Sequence, residues 1–547
     1  MTWDAVVIGS GPGGLTAAVA LARAGQKVLV VEQHYLPGGW THSFTLEGYR
    51  FSPGVHYIGE LHPGGGVRRL YEGLGIGADL EFCELNPDGF DHVLICGTRI
   101  DQPKGLHRWL ERLCARFPHE RQGIHRYFAT VTRIATDLKK ADEHLGFPDV
   151  LSLPLRVPHL TRWGVSTLGS LLHRCIRDPL LRGILSAQSG NHGVPPSRVS
   201  LPVHCAMTAH YYDGGFYPRG GAKRIPQALI KELRRNGGKI RTRARVTRIL
   251  VESGRAAGIE LETGERIFAS SVICNADPAV TYGKLLDREY CPRETRKVAK
   301  MDYSVALLSL FCAVDMDLRR LGYDSGNYWW YRTADVDALY AKMNDAMPGA
   351  EVDALFLTIT TLKDPGHQHN GHHVLEMFTF LPYAGFERWK SEAMGLRGAD
   401  YQTLKRALAD KVLAAAENVI PGIRRRIRFL EIGSPLTNDF YCETFRGACY
   451  GTAKTPWQVG PFSFSQRGPI DGLHLCGAST LSHGVAGSSL SGLFAAQRVL
   501  GVDRPDDLLS PPDGSLRVYP ADHPEEWLID QTDQAEAGTA AKVSRVA

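Results

Sequence analysis

Residues 4–39 read DAVVIGSGPGGLTAAVALARAGQKVLVVEQHYLPGG, and this stretch decides the fold. The apolar run at 5–8 predicts a buried parallel strand. Glycines follow it at the spacing G-x-G-x-x-G, and small apolar residues at 15–24 then predict a helix that Gly25 ends. The next apolar run predicts a second strand, which ends on Glu32. This order of strand, glycine turn, helix, strand and acid predicts a dinucleotide-binding unit.

Each part of this unit has a physical task. Gly9 allows the tight turn, Gly11 lets a pyrophosphate approach the backbone, and Gly14 lets the helix pack closely on the strand. The helix start offers unpaired N–H groups and the positive end of a dipole to the phosphates. Glu32 can accept hydrogen bonds from the adenosine ribose hydroxyls.

Length and composition are those of an ordinary globular protein. The 547 residues are enough for two or three domains, with 43% hydrophobic and 22% charged residues. A net charge of +5 over 63 basic and 58 acidic residues is too small to argue for nucleic-acid binding. The eleven cysteines contain no C-x-x-C pair, which favours free thiols in a reducing, cytoplasmic compartment. We expect no signal peptide and no membrane-spanning helix.

A second glycine turn follows the acid. Residues 36–44 read LPGGWTHSF, and residues 48–59 read GYRFSPGVHYIG. Gly38 and Gly39 can bring the backbone against a second phosphate or the ribityl chain, which a flavin nucleotide has. The pattern resembles the FAD-dependent phytoene-desaturase-type superfamily, and within it the retinol saturases and related carotenoid isomerases.

Two later regions carry the same resemblance. One is HYYDGGFYPRGG with the strands that follow it and the turn Asn275-Ala276-Asp277-Pro278, and the other is DGLHLCGASTLSHGVAG near the end of the chain. The resemblance implies that the strand bearing Val246 lies beside the adenine and that Gly477 approaches the pyrophosphate. It also implies that N–H groups near Val485 and Ala486 face the flavin pyrimidine. The residues predicted to bind FAD are Gly9, Gly11, Gly13, Gly14, Glu32, Gln33, Gly38, Gly39, Trp40, Thr41, Val55, His56, Val246, Asn275, Gly477, Gly484, Val485 and Ala486.

We therefore expect an α/β fold with a Rossmann-type FAD-binding domain whose parallel sheet is discontinuous in sequence. The segments of that domain are 1–75, 205–300 and 430–503. The insertions 76–204 and 301–429 predict an α+β substrate domain with a mixed sheet and a helical cap. Residues 504–547 are rich in Pro, Asp, Glu, Ser and Ala and predict a disordered polar tail.

Three stretches of the insertions allow two interpretations each. Residues 151–185 interleave apolar residues with arginines, so they could lie on an anionic membrane with leucines in the acyl layer, or form amphipathic helices packed on the core. The aromatic run at 328–331 could fill the core or line a tunnel for a long apolar ligand. The histidines at 367–373 share one predicted hairpin loop without acidic or cysteine partners, so we predict no metal site.

The resemblance implies an FAD-dependent oxidoreductase that adds, removes or rearranges C=C bonds in a long apolar polyene or isoprenoid, such as a carotenoid or retinoid. An apolar tunnel would place one C–C bond of the substrate against the flavin N5. His56, Tyr57 and His483 are the candidate acids or bases, because they follow or lie within flavin-contacting turns. No second G-x-G-x-x-G follows a strand, so we expect an external electron donor or acceptor.

The direction of electron flow stays open. PGVHYIG and HYYDGGFYPRGG favour a saturase, whereas a desaturase would pass electrons to a quinone or O2. A flavin amine oxidase shares the nucleotide lobe but typically surrounds a polar amine with aromatic rings. A non-catalytic prenyl-lipid carrier, like the GDP-dissociation inhibitors, has lost the intact flavin turns that this chain keeps. An apolar substrate would suit peripheral association with the cytoplasmic face of a membrane.

Overall fold

The computed structural model describes residues 2–142, 153–345, 351–511 and 514–527. The strands are β1 Trp3–Ile8, β2 Val28–Val31, β3 Phe44–Leu46, β4 Tyr49–Phe51, β5 Glu81–Glu84, β6 Asp91–Ile95, β7 Thr98–Gln102, β8 Phe216–Pro218, β9 Lys239–Arg241, β10 Val246–Glu252, β11 Arg255–Leu261, β12 Arg266–Cys274, β13 Ala306–Val314, β14 Asn327–Tyr331, β15 Ala354–Ile359, β16 His373–Leu381, β17 Ile427–Gly433, β18 Leu473–Leu475 and β19 Arg517–Pro520.

The helices are α1 Pro12–Arg23, α2 Gly66–Gly73, α3 Leu106–Arg116, α4 Arg121–Asp142, α5 Leu153–Arg156, α6 Pro158–Trp163, α7 Leu168–Cys175, α8 Pro179–Ser186, α9 Leu201–His210, α10 Arg224–Arg235, α11 Pro278–Val280, α12 Pro292–Val298, α13 Val336–Asp345, α14 Thr360–Lys363, α15 Ala399–Ala416, α16 Pro435–Cys442 and α17 Gly484–Leu500.

The nucleotide lobe is built on a sheet with the order β10-β11-β12-β1-β2-β9. Strand β18 pairs with the end of β12, on the side of β12 opposite β1. Strands β18, β12, β1, β2 and β9 run parallel. Helix α1 packs close to β1, since a Cβ on Gly14 would stand 2.2 Å from the carbonyl oxygen of Gly9. Helix α17 packs on α1 with Gly492 against the backbone of Gly13. The predicted Rossmann-type domain, discontinuous in sequence, is confirmed.

The second large sheet has the order β17-β13-β16-β15-β14-β6-β7. It is mixed, as predicted, because β14 and β6 run parallel whereas its other neighbours are antiparallel. Side chains alternate along β14, so the four aromatic residues at 328–331 point to opposite faces of the sheet in pairs. Trp329 and Tyr331 face a helical layer that includes α4, α7 and α8, whereas Tyr328 and Trp330 pack with the apolar side of α15. The helical layer corresponds to the predicted cap.

Two predicted domain boundaries are wrong. The boundary at 430 falls inside β17, whose backbone pairs with β13 and therefore belongs to the mixed sheet. The boundary at 205 falls inside α9, which packs in the core of the helical layer. A hydrogen-bonded strand or a packed helix moves as one unit, so a domain boundary cannot cross it.

The predicted disorder from 504 onward is wrong for residues 514–527. Strand β19 pairs in parallel with β5, and β5 pairs with β8, so this segment completes a small third sheet. Leu516, Ala521 and Trp527 are buried against it. Three apolar anchors at spacings of five and six residues suffice for order, although the segment is polar on average. Residues 504–511 of the predicted tail are also described and include a short 3-10 helix at Pro505–Leu508, whereas 512–513 and 528–547 lie outside the described residues.

For α7 and α8, the structure supports the second interpretation of 151–185, amphipathic helices packed on the core. Their leucines, including Leu168, Leu171 and Leu181, are buried in the helical layer and cannot reach an acyl layer. The arginines lie on the outer side, which is the amphipathic-helix interpretation. Residues 151 and 152 lie outside the described part. Among the described helices, none combines the length and the apolar character that crossing a bilayer requires.

Candidate active site

One cavity of about 2340 Å³, including its mouth, connects the nucleotide lobe with the mixed sheet. At one end it is lined by Ile8 and Val31, the last residues of β1 and β2. At the other end it is lined by Leu307 of β13 and Phe378 of β16. The cavity therefore joins the edge of the Rossmann-type sheet, where a dinucleotide binds, to the face of the mixed sheet.

The nucleotide end is a backbone cradle formed by the two glycine turns. A Cβ on Gly39 would stand 3.3 Å from Cα of Gly11, so the two turns approach each other closely. Gly9 has φ +88° and Gly477 has φ +102°, conformations that side chains disfavour. Such a cradle leaves backbone N–H groups accessible to phosphate oxygens, as predicted for a pyrophosphate site.

Two helices begin at this cradle. Helix α1 starts after Gly11 and α17 starts after His483, and Gly11, Gly484 and Val485 line the cavity. Within the described residues, no side chain caps either helix start. Both positive dipole ends are therefore available to an anionic ligand. The predicted role of the N–H groups near Val485 and Ala486 requires such a helix start, although Ala486 itself lies outside the cavity lining.

Glu32 directly follows β2 at the same edge of the cavity. Its Oε2 accepts hydrogen bonds from the backbone N–H of Ser10 at 2.9 Å and from the Ser10 hydroxyl at 2.6 Å. Its Oε1 accepts from the N–H of His34 at 2.9 Å. These bonds hold the carboxylate at the β2 end, where remaining lone pairs can accept ribose hydroxyls.

Most residues predicted to bind FAD share this cavity. Those that line it are Gly9, Gly11, Glu32, Gln33, Gly39, Trp40, Thr41, His56, Val246, Asn275, Gly477, Gly484 and Val485. Five lie outside the lining: Gly13, Gly14, Gly38, Val55 and Ala486. Of these, Gly13 and Gly14 serve close packing, since a Cβ on Gly13 would stand 2.9 Å from the carbonyl oxygen of Ser488.

Two of the three predicted catalytic side chains form one wall of the cavity. The His56 ring lies between Phe356 and Phe378, with centroid distances of 5.3 and 4.6 Å. The Tyr57 hydroxyl donates a hydrogen bond to Asp91 at 3.1 Å and accepts one from Nδ2 of Asn191 at 2.9 Å. Burial lowers the pKa of His56, and burial together with Asp91 raises the pKa of Tyr57. The wall thus combines a neutral imidazole with a protonated phenol.

His483 lies one layer behind this wall, outside the cavity lining. Its Nε2 donates to the backbone oxygen of Asn191 at 2.7 Å, and its ring packs against Tyr450 at 5.0 Å. Burial lowers its pKa to about 3. His483 therefore contacts two lining residues, Asn191 and Tyr450, and supports them from behind.

The comparisons with known proteins agree with this geometry. The family model for flavin containing amine oxidoreductases matches residues 12–500. The chain belongs to this family. Its cofactor is FAD, and it is an FAD-dependent oxidoreductase. The two glycine turns, the two helix starts and Glu32 are the groups that fit FAD.

Relatives of this flavoprotein include all-trans-retinol 13,14-reductase from Macaca fascicularis, which is 30% identical over 91% of this chain and 85% of that protein. Chloroplastic prolycopene isomerase from Daucus carota is 28% identical over 93% of this chain and 82% of its own. The solved structure of cyclohexylamine oxidase from Brevibacterium oxydans matches with a TM-score of 0.59 at 17% identity, covering 92% and 99% of the two chains. At that identity the structural likeness shows the fold alone.

Sequence reasoning missed a buried charged cluster behind the wall of the flavoprotein. Lys363, Glu376 and Asp91 are all fully buried. Lys363 Nζ donates to the backbone oxygen of His56 and to Oδ1 of Asn327, both at 2.6 Å. Glu376 Oε2 lies 3.1 Å from Nδ1 of His56, off the ideal hydrogen-bond direction. Ionisable residues within apolar strands, such as Glu376 in HVLEMFTFL, were the signal that could have found it.

A second buried lysine was also missed. Lys454 Nζ donates to the backbone oxygens of Thr452 at 2.9 Å and Ala478 at 2.7 Å, and Ala478 lines the cavity. Burial lowers its pKa to about 7, although Asp277 opposes the shift. This lysine fixes the loop that follows Gly477 and so holds that side of the FAD cradle.

The far branch of the cavity is apolar and aromatic. Trp329 and Tyr331 line this branch, whereas Tyr328 and Trp330 do not. The tunnel interpretation therefore applies to the first pair, and the core interpretation applies to the second. The other lining residues of the branch include Leu307, Val336, Leu339, Tyr340, Leu355, Phe356, Phe378 and Phe380. None of these branch residues is acidic; the acidic side chains among the described lining residues are Glu32 after β2, Asp277 after β12 and Glu443 after α16.

Proposed function

We propose that this flavoprotein acts on C=C bonds of a long apolar polyene or isoprenoid that lies in the aromatic branch of the cavity. The branch itself carries the proposal, because it joins the FAD cradle and offers apolar surface without an acidic partner in its described lining. A polyene has no ionisable group, so its position must be set by shape and apolar contact. Bound FAD supplies two-electron redox chemistry at its N5.

The wall of His56 and Tyr57 offers the groups that can donate and accept protons when a C=C bond reacts. Tyr57 is a protonated hydroxyl held by Asp91 and Asn191, and His56 is a neutral imidazole between two aromatic rings. Environments that push the pKa values of two neighbouring groups apart give one group able to donate a proton and one able to accept it. Saturation requires a donor, and isomerisation requires both roles.

We infer saturation as the direction and isomerisation as the alternative. The relatives that support these two outcomes are named all-trans-retinol 13,14-reductase and prolycopene isomerase. Saturation would require an external electron donor to reduce the FAD, since sequence and fold point to a single nucleotide lobe in the described residues. Desaturation, with electrons passing to a quinone or O2, is the remaining outcome of the same experiment.

The direct test incubates the holoprotein anaerobically with retinoids and carotenoids, once with oxidised FAD and once with prereduced FAD. A mass gain of two hydrogens with reduced FAD supports saturation, an unchanged mass with a new isomer supports isomerisation, and a loss of two supports desaturation. Turnover of a polar amine with peroxide release, and of no polyene, would replace the substrate assignment by an amine oxidase. A protein that cannot be reconstituted with FAD would support the carrier function.

We also propose that a basic groove beside α7 docks on an anionic membrane, from which an apolar substrate would be drawn. Trp457, Val165 and Phe462 are exposed there, with relative exposures of 65%, 56% and 40%. The cations of the groove are Arg198, Arg293, Arg296, Lys297 and Lys300. Aromatic side chains at the headgroup level beside basic residues are typical of interfacial binding.

Vesicle co-sedimentation tests the groove. The holoprotein is expected to bind vesicles that contain phosphatidylglycerol and to release them at high salt. The variant Arg293→Glu with Lys300→Glu should lose this binding. Its matched control reverses two exposed charges in the 3-10 turn before β17, Arg424→Glu with Arg425→Glu, and should keep it. Equal binding by both variants would rule the groove out.

A further inference from the structure

Lys363 is the last residue of α14, which lies between β15 and β16 at the back of the catalytic wall. Its side chain is fully buried, and its Nζ lies 5.6 Å from the ring centre of Tyr217. Its ammonium group donates hydrogen bonds to the backbone oxygen of His56 and to the side-chain oxygen of Asn327. A buried ammonium is costly unless nearby negative charge compensates it, so the surroundings of Lys363 need an account.

Two buried carboxylates compensate this ammonium from opposite sides. Asp91 on β6 accepts from Asn327 Nδ2 at 2.9 Å, and Asn327 in turn contacts Lys363. Asp91 also accepts from Gln188 and Tyr57. On the other side, Glu376 accepts from the backbone N–H of Ser52 at 2.5 Å and approaches the ring of His56. Two carboxylates thus face one ammonium group behind the wall.

The charged and titratable groups that face His56 and Lys363 come from several elements. They are Glu376 on β16, Asp91 on β6, Tyr57 beside His56, and Tyr217 on β8. Burial lowers the pKa of His56, Glu376 opposes this shift, and Lys363 adds to it. Burial lowers the pKa of Lys363 to about 7, while Asp91 and Glu376 oppose that shift.

We propose that Lys363 is a positioning residue of this active site. Its ammonium fixes the backbone carbonyl of His56, and hence the place of the imidazole between Phe356 and Phe378. Burial keeps that imidazole unprotonated against the pull of Glu376, and the positive charge of Lys363 adds to this effect, so that His56 faces the substrate branch as a proton acceptor. The inference deepens the proposed function, because it rests on a substrate that lies against this wall.

The test follows the protonation of His56 in the holoprotein by NMR of ¹⁵N-labelled histidine, with the signal assigned by its loss in His56→Gln. This readout needs no substrate. In Lys363→Met the titration of His56 is expected to move to higher pH, because a nearby cation has gone. In Glu376→Gln it is expected to move to lower pH, because a nearby anion has gone. A purely structural role would not produce opposite shifts in the two variants.

Two further variants complete the experiment. Lys363→Gln removes the charge but keeps a side-chain N–H donor toward the backbone oxygen of His56, so it should also raise the titration of His56 even if Lys363→Met does not fold. Lys405→Met removes another largely shielded lysine, which pairs with Glu431 on β17, and should leave the His56 titration where it is. An unchanged His56 titration in both Lys363→Met and Lys363→Gln would overturn the proposal.

Activity measurements then separate this inference from the proposed function. If a polyene is turned over, the acidic limb of its pH–rate profile should shift in Lys363→Met by the same amount as the NMR titration. If no polyene is turned over while the NMR shifts appear as expected, the substrate assignment fails and the role of Lys363 in holding His56 stands.

Discussion

Asn191 donates its side-chain amide to the hydroxyl of Tyr57 at 2.9 Å, and the backbone oxygen of the same residue accepts from Nε2 of His483 at 2.7 Å. Residues that are 134 positions apart therefore form one unit at the cavity wall. Asn191 orients the phenol, and His483 holds the backbone of Asn191. Two of the three predicted acid–base residues, Tyr57 and His483, are thus linked through Asn191, a residue with no role predicted from the sequence.

This relationship predicts the effect of Asn191→Ala. A hydrogen bond of this kind contributes about 1 kcal/mol, so turnover should fall about five- to tenfold through a lower kcat. The binding of FAD should not change, because the amide contacts Tyr57 and not the glycine turns. Steady-state kinetics and a flavin titration measure both quantities. An unchanged kcat would contradict the role given to Asn191.

The glycine cradle predicts a loss of cofactor in Gly11→Ala. The new Cβ would stand 2.7 Å from Nδ2 of Asn275 and would occupy the path of a phosphate. Overpacking of this kind costs about 1–3 kcal/mol, so the Kd for FAD should rise about five- to 100-fold. Gly283→Ala is the matched control, because its Cβ would meet no atom within 4 Å. The flavin absorbance per protein after dialysis distinguishes the two.

The apolar branch predicts that a carboxylate in its lining blocks the substrate. Leu307→Glu places a charge among aromatic rings, where an unpaired ion is strongly disfavoured, and KM for a polyene should rise at least about tenfold. Leu430→Glu, at a residue with 36% exposure on β17 of the same sheet, should leave KM near the wild-type value. Improved turnover of a polar amine by Leu307→Glu would favour an amine site.

The C-terminal segment predicts a stability effect far from the cavity. Trp527 is 4% exposed, donates from Nε1 to the backbone oxygen of Pro520 at 2.8 Å, and lies under the guanidinium of Arg219. Trp527→Ala should cost about 3–5 kcal/mol locally and lower the Tm. Trp457→Ala removes an exposed tryptophan and should change stability by less than about 0.5 kcal/mol. Equal melting temperatures would show that the third sheet contributes little.

The helical layer predicts a pH-dependent stability. His204 is buried, accepts from the hydroxyl of Tyr127 at 2.9 Å, and burial lowers its pKa to about 3. Since an unfolded histidine has a pKa of about 6.5, the unfolded chain binds one more proton between these values. Stability is therefore fully present above pH 6.5 and falls with acidification, by about 1.4 kcal/mol per pH unit for this group.

Replacing this histidine tests the pH effect. His204→Gln should flatten the dependence of Tm on pH between about 6.5 and 3. The control is His125→Gln on the exposed side of α4, which should leave the slope as it is. Thermal unfolding at a series of pH values gives both slopes. A wild-type slope in His204→Gln would assign the acid sensitivity to other groups, such as the buried carboxylates.

The elements that bind the nucleotide followed from local sequence. The run from β1 to Glu32 encodes its own structure, because alternating short apolar strands, glycines at fixed spacing and one terminal acid act over a few residues. The same holds for α17 and for the mixed sheet, whose strands are strongly apolar. The helix start moved by a few residues, because the helix expected from 15 begins at Pro12.

The cavity wall of His56 and Tyr57 illustrates what local sequence patterns could not predict. His56 and Tyr57 stand in a recognisable turn, but Glu376, Asp91 and Lys363 come from strands and a helix up to 320 residues away. No local pattern marks a lysine that becomes buried only when two distant carboxylates fold around it. The order of residues 514–527 was missed for the same reason, since a polar segment gained order by adding a strand to β5.

The sequence by itself determined that this chain binds a dinucleotide in a Rossmann-type lobe and that the cofactor is a flavin. Glycine spacing, helix starts and the terminal acid are short-range properties, and their chemistry does not depend on the rest of the fold. The tertiary structure alone decided which side of the aromatic run lines the cavity, which carboxylates meet His56 and Tyr57, and where the leucines of 168–185 lie. These features depend on strand register and helix packing, because burial and charge compensation arise only between segments that folding brings together.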